Sequence, residues 1–312
     1  MKVTPRGRLV DIGAGGGKRR LHVLEEGREG PLVVLEAGLA ASSLSWCLVQ
    51  PKIAEFARVV SYDRAGYGSS DEARPGSGWA GTAQDSADDL ARLLDAMNWA
   101  GPVVLTGHSF GGLIARVFEQ RYAGRVAGLV LVDPVVRAEW REPTEVRAKM
   151  LARGVRLSRR GAMLARLGIV GAALGLVLRG SRVAPKILAR AVAGRGAAVT
   201  ERLAGEIRKM PRELWPAVAA QWSQPKSFRA MAHTLESLPL SARQVDETCG
   251  MGELPVVVLS AESAQPIALD EHRRDAGLST RGVHKEVRSG HWMHFDAPDE
   301  VVSAVRQVVQ GQ

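Results

Sequence analysis

Over its first third the chain alternates short apolar runs with amphipathic stretches, and glycine or a polar loop ends each run. "GRLVDI" (7–12) and "RRLHVLEEG" (19–27) read as two strands of a hairpin across the glycine-rich turn "GAGGG". "PLVVLEAG" (31–38), "ARVVSYDRAGYGSSD" (57–71), "GPVVLTG" (101–107) and "VAGLVLVDP" (126–134) each hold an apolar run of the kind found in strands buried on both faces. Between them, "TAQDSADDLARLLDAMNW" (82–99) sets Ala83, Ala87, Leu90, Leu94 and Met97 at helical spacing. A second helical pattern runs from Gly111 to about Arg121. This alternation predicts an α/β fold with a mostly parallel central sheet and helices on both faces.

After Pro134 the pattern changes. Residues 135–240 are helical in pattern, rich in Ala, Arg and Leu, and broken by Pro143, Pro185, Pro211, Pro216, Pro225 and Pro239, with no strand signal. Strand character returns in "LPVVVLSAE" (254–262) and "GVHKEVRSGH" (282–291), with helices expected around 267–276 and 298–309. The expected organisation is an α/β core from 1–134 and 241–312, with 135–240 inserted between two strands as a helical cap.

Composition narrows the function classes. At 312 residues, 46% hydrophobic and 24% charged, the chain reads as an ordinary globular protein. Cys47 and Cys249 make no disulfide framework, and the N-terminus "MKVTPRGRLVDIGAGGG" lacks the apolar stretch of a secretory signal, so a cytoplasmic location is expected. The most apolar segment, "LGIVGAALGLVL" (167–178), is short and glycine-interrupted against the ~20 residues of a bilayer span. The formal charge of +9 is uneven: Val136–Trp215 carries 18 Lys and Arg against 6 Asp and Glu, and the rest of the chain is slightly acidic. Such a lobe can meet an anionic membrane surface or stand simply as a solvated helical face. No nucleic-acid motif with interleaved aromatics accompanies it, so no nucleic-acid partner is expected. "GAGGG" is followed by no helix and lacks a Lys-Ser/Thr ending, so it is not read as a phosphate-binding loop.

The candidate chemistry lies in "VVLTGHSFGGLIARVFEQRY" (103–122). Gly107-His108-Ser109-Phe110-Gly111 matches G-x-S-x-G, with strand before and helix after. Small residues there allow a turn tight enough to lift Ser109 out of the sheet, with helix N–H groups aimed at a reacting oxygen. A serine hydroxyl needs a base and a group that orients the base. His291, in "Arg288-Ser289-Gly290-His291-Trp292" after the last strand, fits the base. His294 is read as lining or packing, His108 as directed away from the serine oxygen, and His22, His233, His272 and His284 have no motif context.

The segments "VVLEAGLAASSLSW", "VSYDRAGYGSSD", "GHSFGG", "GLVLVDP" and "SGHWMHFDAPDEVV" together resemble the α/β-hydrolase superfamily, and within it the single-chain esterase-type members with a helical cap. The resemblance implies a Ser…acid…His order. Most members place the acid after the strand that here reads "PVVVL", but Ala264 stands where that Asp would be. A minority draw it from the end of the preceding strand, which here gives Asp133, with Glu262 and Asp270 as alternatives. The resemblance also implies an oxyanion hole from the backbone N–H groups of Phe110 and Leu39, the latter in "Ala37-Gly38-Leu39", where relatives have His-Gly-x. Asp63-Arg64-Ala65-Gly66-Tyr67-Gly68-Ser69-Ser70 also resembles a family segment and is read as structural, and Trp46 is read as a packing residue that begins the helix beneath the oxyanion loop. Segment 160–180 reads equally as an acyl pocket lining or an ordinary packed helix.

These residues predict a serine hydrolase that uses no metal or other cofactor and cleaves a carboxylic ester of a small or medium apolar substrate. Arg- and Ala-rich usage suggests a bacterial source. Thioesterase, lactonase, amidase, C–C hydrolase and cofactor-free haloperoxidase chemistry stay open on the same triad. So does a non-catalytic hydrolase-like binding protein with a basic cap. Epoxide hydrolases and haloalkane dehalogenases are disfavoured, because the resemblance implies Asp at their elbow rather than Ser.

Overall fold

A computed structural model describes residues 7–13, 18–74, 76–178 and 209–311. Most of the expected "GAGGG" turn, the first six residues, Pro185 and the stretch 179–208 of the expected cap lie outside the described residues. Eight strands form one sheet: β1 (Arg8–Asp11), β2 (Arg20–Glu26), β3 (Leu32–Glu36), β4 (Arg58–Tyr62), β5 (Val103–His108), β6 (Val126–Val132), β7 (Val256–Ala261) and β8 (Gly282–Val287). Their order is β1-β2-β4-β3-β5-β6-β7-β8. The first two strands are antiparallel to their neighbours, and from β4 onward every pair is parallel.

The period-2 geometry of a strand sends successive side chains to opposite faces. On β6, Leu129 and Leu131 join a cluster with Leu90, Leu94, Leu113 and Phe118, while Val130 and Val132 join one with Trp46, Ile53, Val301 and Val305. The first cluster is closed by α2 (Ala83–Ala96) and α3 (Phe110–Arg121). The second is closed by the short α1 (Gln50–Ile53) and by the C-terminal helix (Pro298–Val309). Both layers are closed to solvent at the sheet: Leu105, Leu129, Val130 and Val132 are fully buried. Thr82 starts α2 with a reciprocal capping box to Asp85, the signal behind the sharp start of that helix. One expectation is corrected here. Trp46 does not begin a helix; it closes a 3₁₀ turn over Ser43–Trp46, and α1 begins at Gln50.

Between β6 and β7 the described residues are helical: α4 (Arg137–Trp140), α5 (Glu145–Arg166), α6 (Ile169–Leu178), α7 (Trp215–Trp222) and α8 (Pro225–Arg243). α8 lies along α5 and also touches α2. Arg137 pins the start of this segment to α9 (Pro266–Gly277), which follows β7. Its guanidinium donates to both oxygens of Asp275 (2.8 and 2.7 Å), and the N–H groups of Arg137 and Ala138 donate to the Glu271 carboxylate (2.6 and 2.9 Å). Among the described residues, no helix is long and apolar enough to cross a membrane.

Candidate active site

Ser109 stands between the C-terminal end of β5 and the first residue of α3, at φ +53 and ψ −116. A non-glycine residue reaches that backbone region only under strain, which the neighbours must hold in place. They do so by steric exclusion and hydrogen bonds. A Cβ on Gly107 would collide with the Gly111 carbonyl, and one on Gly111 would collide with the Glu36 carbonyl of β3. The Ser109 N–H donates to Val132 O (3.0 Å), while its carbonyl accepts from Gly112 and Val135 (3.0 and 3.2 Å). The glycines thus let the turn close tightly against β3 and α3, with Ser109 at its tip.

His291 follows β8 and reaches back across the sheet. Its Nε2 lies 3.1 Å from Ser109 Oγ, and its Nδ1 lies 2.5 Å from Asp133 Oδ2. Asp133 is the residue after β6, at φ +42, a left-handed conformation that Asp tolerates better than most side chains. Its other oxygen accepts from the Ala261 N–H (3.1 Å), and its own N–H donates to Leu259 O (2.7 Å), so β7 holds both the carboxylate and the backbone of this residue. The carboxylate is nearly buried, while the imidazole remains 40% exposed and open to a substrate. A carboxylate on Nδ1 keeps the proton there and leaves Nε2 free to accept from the serine hydroxyl.

Neither alternative acid comes near the imidazole. The Glu262 side chain is turned to solvent 3.9 Å from Arg288, and Asp270 sits exposed on α9 beside Arg273 (3.6 Å). Position matters more than residue type here. The turn after β7 aims its acidic side chain outward, whereas the end of β6 aims Asp133 at the histidine.

Phe110 is the first residue of α3, and the backbone N–H at such a position has no intrahelical acceptor. Leu39 lies in the loop after β3, half-buried, ahead of Ala40 at φ +63. The segment after β4 ties down the far end of that loop. Asp63 is fully buried and accepts from the N–H and the hydroxyl of Ser43 (both 2.8 Å) and from the Ser69 N–H (2.9 Å).

Two buried histidines adjoin the site. His108 donates through Nε2 to the His291 carbonyl (2.8 Å), holding the backbone of the histidine loop. His294 is 1% exposed, with its ring centroid 4.5 Å from that of His108 and 5.1 Å from that of Trp46. Burial, then the neighbouring His294 and His291, pushes His108 well below the ordinary imidazole value. Burial, then His291 and Lys209, pushes His294 down to about 3. Both rings are neutral packing elements at neutral pH.

Sequence reasoning found no role for His272 and His284, yet with Ser260 they form a hydrogen-bonded chain that ends on the Pro134 carbonyl, next to Asp133. His272 Nε2 donates to Pro134 O (3.0 Å), which leaves Nδ1 to accept from Ser260 Oγ (2.7 Å). Ser260 Oγ in turn accepts from His284 Nε2 (2.8 Å). These groups come from β7, α9 and β8, and no local spacing joins them. The one sequence signal was Ser260, a polar residue at the end of the apolar run of β7.

A strained serine at a strand-to-helix elbow, relayed through histidine to a strand-end carboxylate, sits on a sheet of α/β-hydrolase order. The family model described as alpha/beta hydrolase fold matches residues 31–298, and the chain belongs to that family. Curated relatives include the lipase LipV of Mycobacterium tuberculosis, 38% identical over 133 residues (42% of this chain, 48% of the relative). A haloalkane dehalogenase of Mycolicibacterium smegmatis is 31% identical over 153 residues (49% and 48%). The chain spans half or less of the length of the curated relatives it matches. Among solved structures, a thermophilic esterase from Thermogutta terrifontis aligns with TM-score 0.66 at 20% identity, over 98% of both chains. A point mutant of a putative epoxide hydrolase from Pseudomonas aeruginosa aligns with TM-score 0.71 at 18% identity over 100% of both. At that identity the likeness speaks to the fold.

Proposed function

We propose that the chain is a serine hydrolase that cleaves a carboxylic ester of a small or medium apolar substrate through an acyl-enzyme. Ser109 attacks the carbonyl, His291 takes the proton and returns it to the leaving alcohol, and Asp133 holds the imidazole in the required tautomer. The N–H groups of Phe110 and Leu39 stabilise the tetrahedral oxyanion. Water, activated by the same histidine, then releases the acid. One observation carries this reading: the 3.1 Å and 2.5 Å contacts that join Ser109, His291 and Asp133, on a serine held at φ +53.

Relatives of this chain include a lipase and a haloalkane dehalogenase. Serine at the elbow supports acyl transfer, because its hydroxyl must be deprotonated by His291 before it can attack, and the contact for that transfer is present. Residues 135–240 are proposed as a cap over the site. In support, the described helices leave the sheet immediately after Asp133, and Val135 hydrogen-bonds the Ser109 carbonyl.

The test is hydrolysis of p-nitrophenyl esters from acetate to palmitate by the parent, Ser109→Ala, Asp133→Asn and Glu262→Gln. The parent should cleave at least one ester, Ser109→Ala none, and Asp133→Asn should be far weaker than Glu262→Gln. A folded parent that cleaves no member of the series overturns the ester assignment. An active Ser109→Ala overturns the nucleophile.

A further inference from the structure

Arg64, in the segment expected to be structural, is 5% exposed and turns its guanidinium onto the loop after β3. Nη2 donates to the Gly38 carbonyl (2.6 Å), while Nη1 donates to the Ala37 carbonyl and to Glu36 Oε1 (2.5 Å). Glu36 is itself buried and also accepts from the Tyr62 hydroxyl. The guanidinium carbon lies 5.8 Å from the ring centroid of Phe110, the residue next to the nucleophile. One buried cation thus grips the loop that carries one of the N–H groups the hydrolase reading assigns to the oxyanion, and lies beside the ring of the residue that carries the other.

The Gly38 carbonyl and the Leu39 N–H belong to the same peptide unit. In a trans peptide these two groups point in opposite directions. The carbonyl is held by Arg64 and by the Ala41 N–H (3.2 Å), so the N–H of Leu39 is turned to the opposite side. The first turn of α3 bounds that loop, since a Cβ on Gly111 would strike the Glu36 and Ala37 carbonyls. A charge on a peptide oxygen also polarises the unit and strengthens its N–H as a donor, the more so away from water.

We propose that Arg64 is a positioning residue for the oxyanion hole: by gripping the Ala37 and Gly38 carbonyls it fixes and polarises the Gly38–Leu39 peptide, with its N–H toward Ser109. This rests on the serine-hydrolase reading. Arg64 touches neither substrate nor the reacting atoms, and it acts through Leu39. Lysine cannot substitute for it, because a single ammonium lacks the planar fork that spans two carbonyls and a carboxylate.

Removing Arg64 alone would strand the Glu36 carboxylate in the interior, so a stability loss would mask the catalytic one. The double variant Glu36→Gln/Arg64→Met removes both charges, and Arg64→Lys keeps the charge but not the fork. For each, melting temperature, kcat and KM on the best ester are measured. So is affinity for a trifluoromethyl ketone, which forms a tetrahedral adduct with an active serine. Loss of one oxyanion donor costs about 10²–10³ in kcat, and a misaligned donor is expected to cost about 10–100-fold. KM should change little, and ketone affinity should fall in parallel with kcat/KM. A folded double variant that keeps kcat and ketone affinity near the parent's overturns the proposal, even if its melting temperature drops. Should the double variant not fold, Arg64→Lys decides by the same criterion. A parent that neither cleaves esters nor reacts with a fluorophosphonate would instead refute the underlying hydrolase reading.

Discussion

Asp133 carries the most information of any single residue in the site. Its expected position came from an absence: Ala264 occupies the place where most relatives are expected to keep their acid, which leaves the end of the preceding strand. What could not be read from the chain is the conformation that makes the position work, a left-handed backbone tied to β7 by two hydrogen bonds. Asp133→Asn keeps the shape and can still accept from Ala261, but it no longer holds a proton on His291 Nδ1. Its kcat should fall about 10⁴-fold with the fold intact, which steady-state kinetics and circular dichroism together check. His272 and His284 were illegible for a different reason. A histidine's meaning depends on its partners, and these partners meet only after β7, α9 and β8 have assembled.

Elements were the most legible scale, because strand and helix periods are local properties of the chain. The helix expected over 298–309 spans Pro298–Val309, and the strands beside the site fall inside their apolar runs. Side-chain ties between elements were not legible. Arg137, within the basic stretch, is no solvated charge but the buried anchor that joins the segment after β6 to Asp275 and Glu271 on α9. Arg137→Met strands the buried Asp275 carboxylate, while Glu271 keeps its two backbone donors, and should destabilise the protein by about 3–5 kcal/mol, measured by urea unfolding. Glycines at the elbow and in the helical segment should respond in opposite directions. Gly111→Ala drives a methyl into the Glu36 carbonyl and should abolish ester cleavage, with a lowered melting temperature. Gly175→Ala, where no described residue lies within 4 Å of the added carbon, should stabilise α6 by about 0.5–1 kcal/mol. Paired thermal melts distinguish the two.

At the scale of the whole molecule, two apolar layers pack on the sheet and the site stands at the ends of its strands, where buried neutral histidines make the fold sensitive to acid. His294 titrates at about 3 in the folded protein and near 6.5 when unfolded. Between those values the unfolded chain binds more protons, so His294 destabilises the fold as pH falls below about 6.5, by about 1.4 kcal/mol per unit. Asp89, raised to about 6 chiefly by burial, works in the opposite direction, so the contribution is isolated by comparison with a variant. From pH 7 to pH 5 the parent should lose about 2 kcal/mol more stability than His294→Phe; equal losses would mean that the ring is protonated in the fold. The central claim is that Ser109 is an activated nucleophile, and the most direct measurement is intact-protein mass after exposure to a fluorophosphonate. The account predicts one adduct on the parent, mapped to Ser109 by peptide analysis, and none on Ser109→Ala. No adduct on the folded parent, or an adduct on another serine, would contradict it.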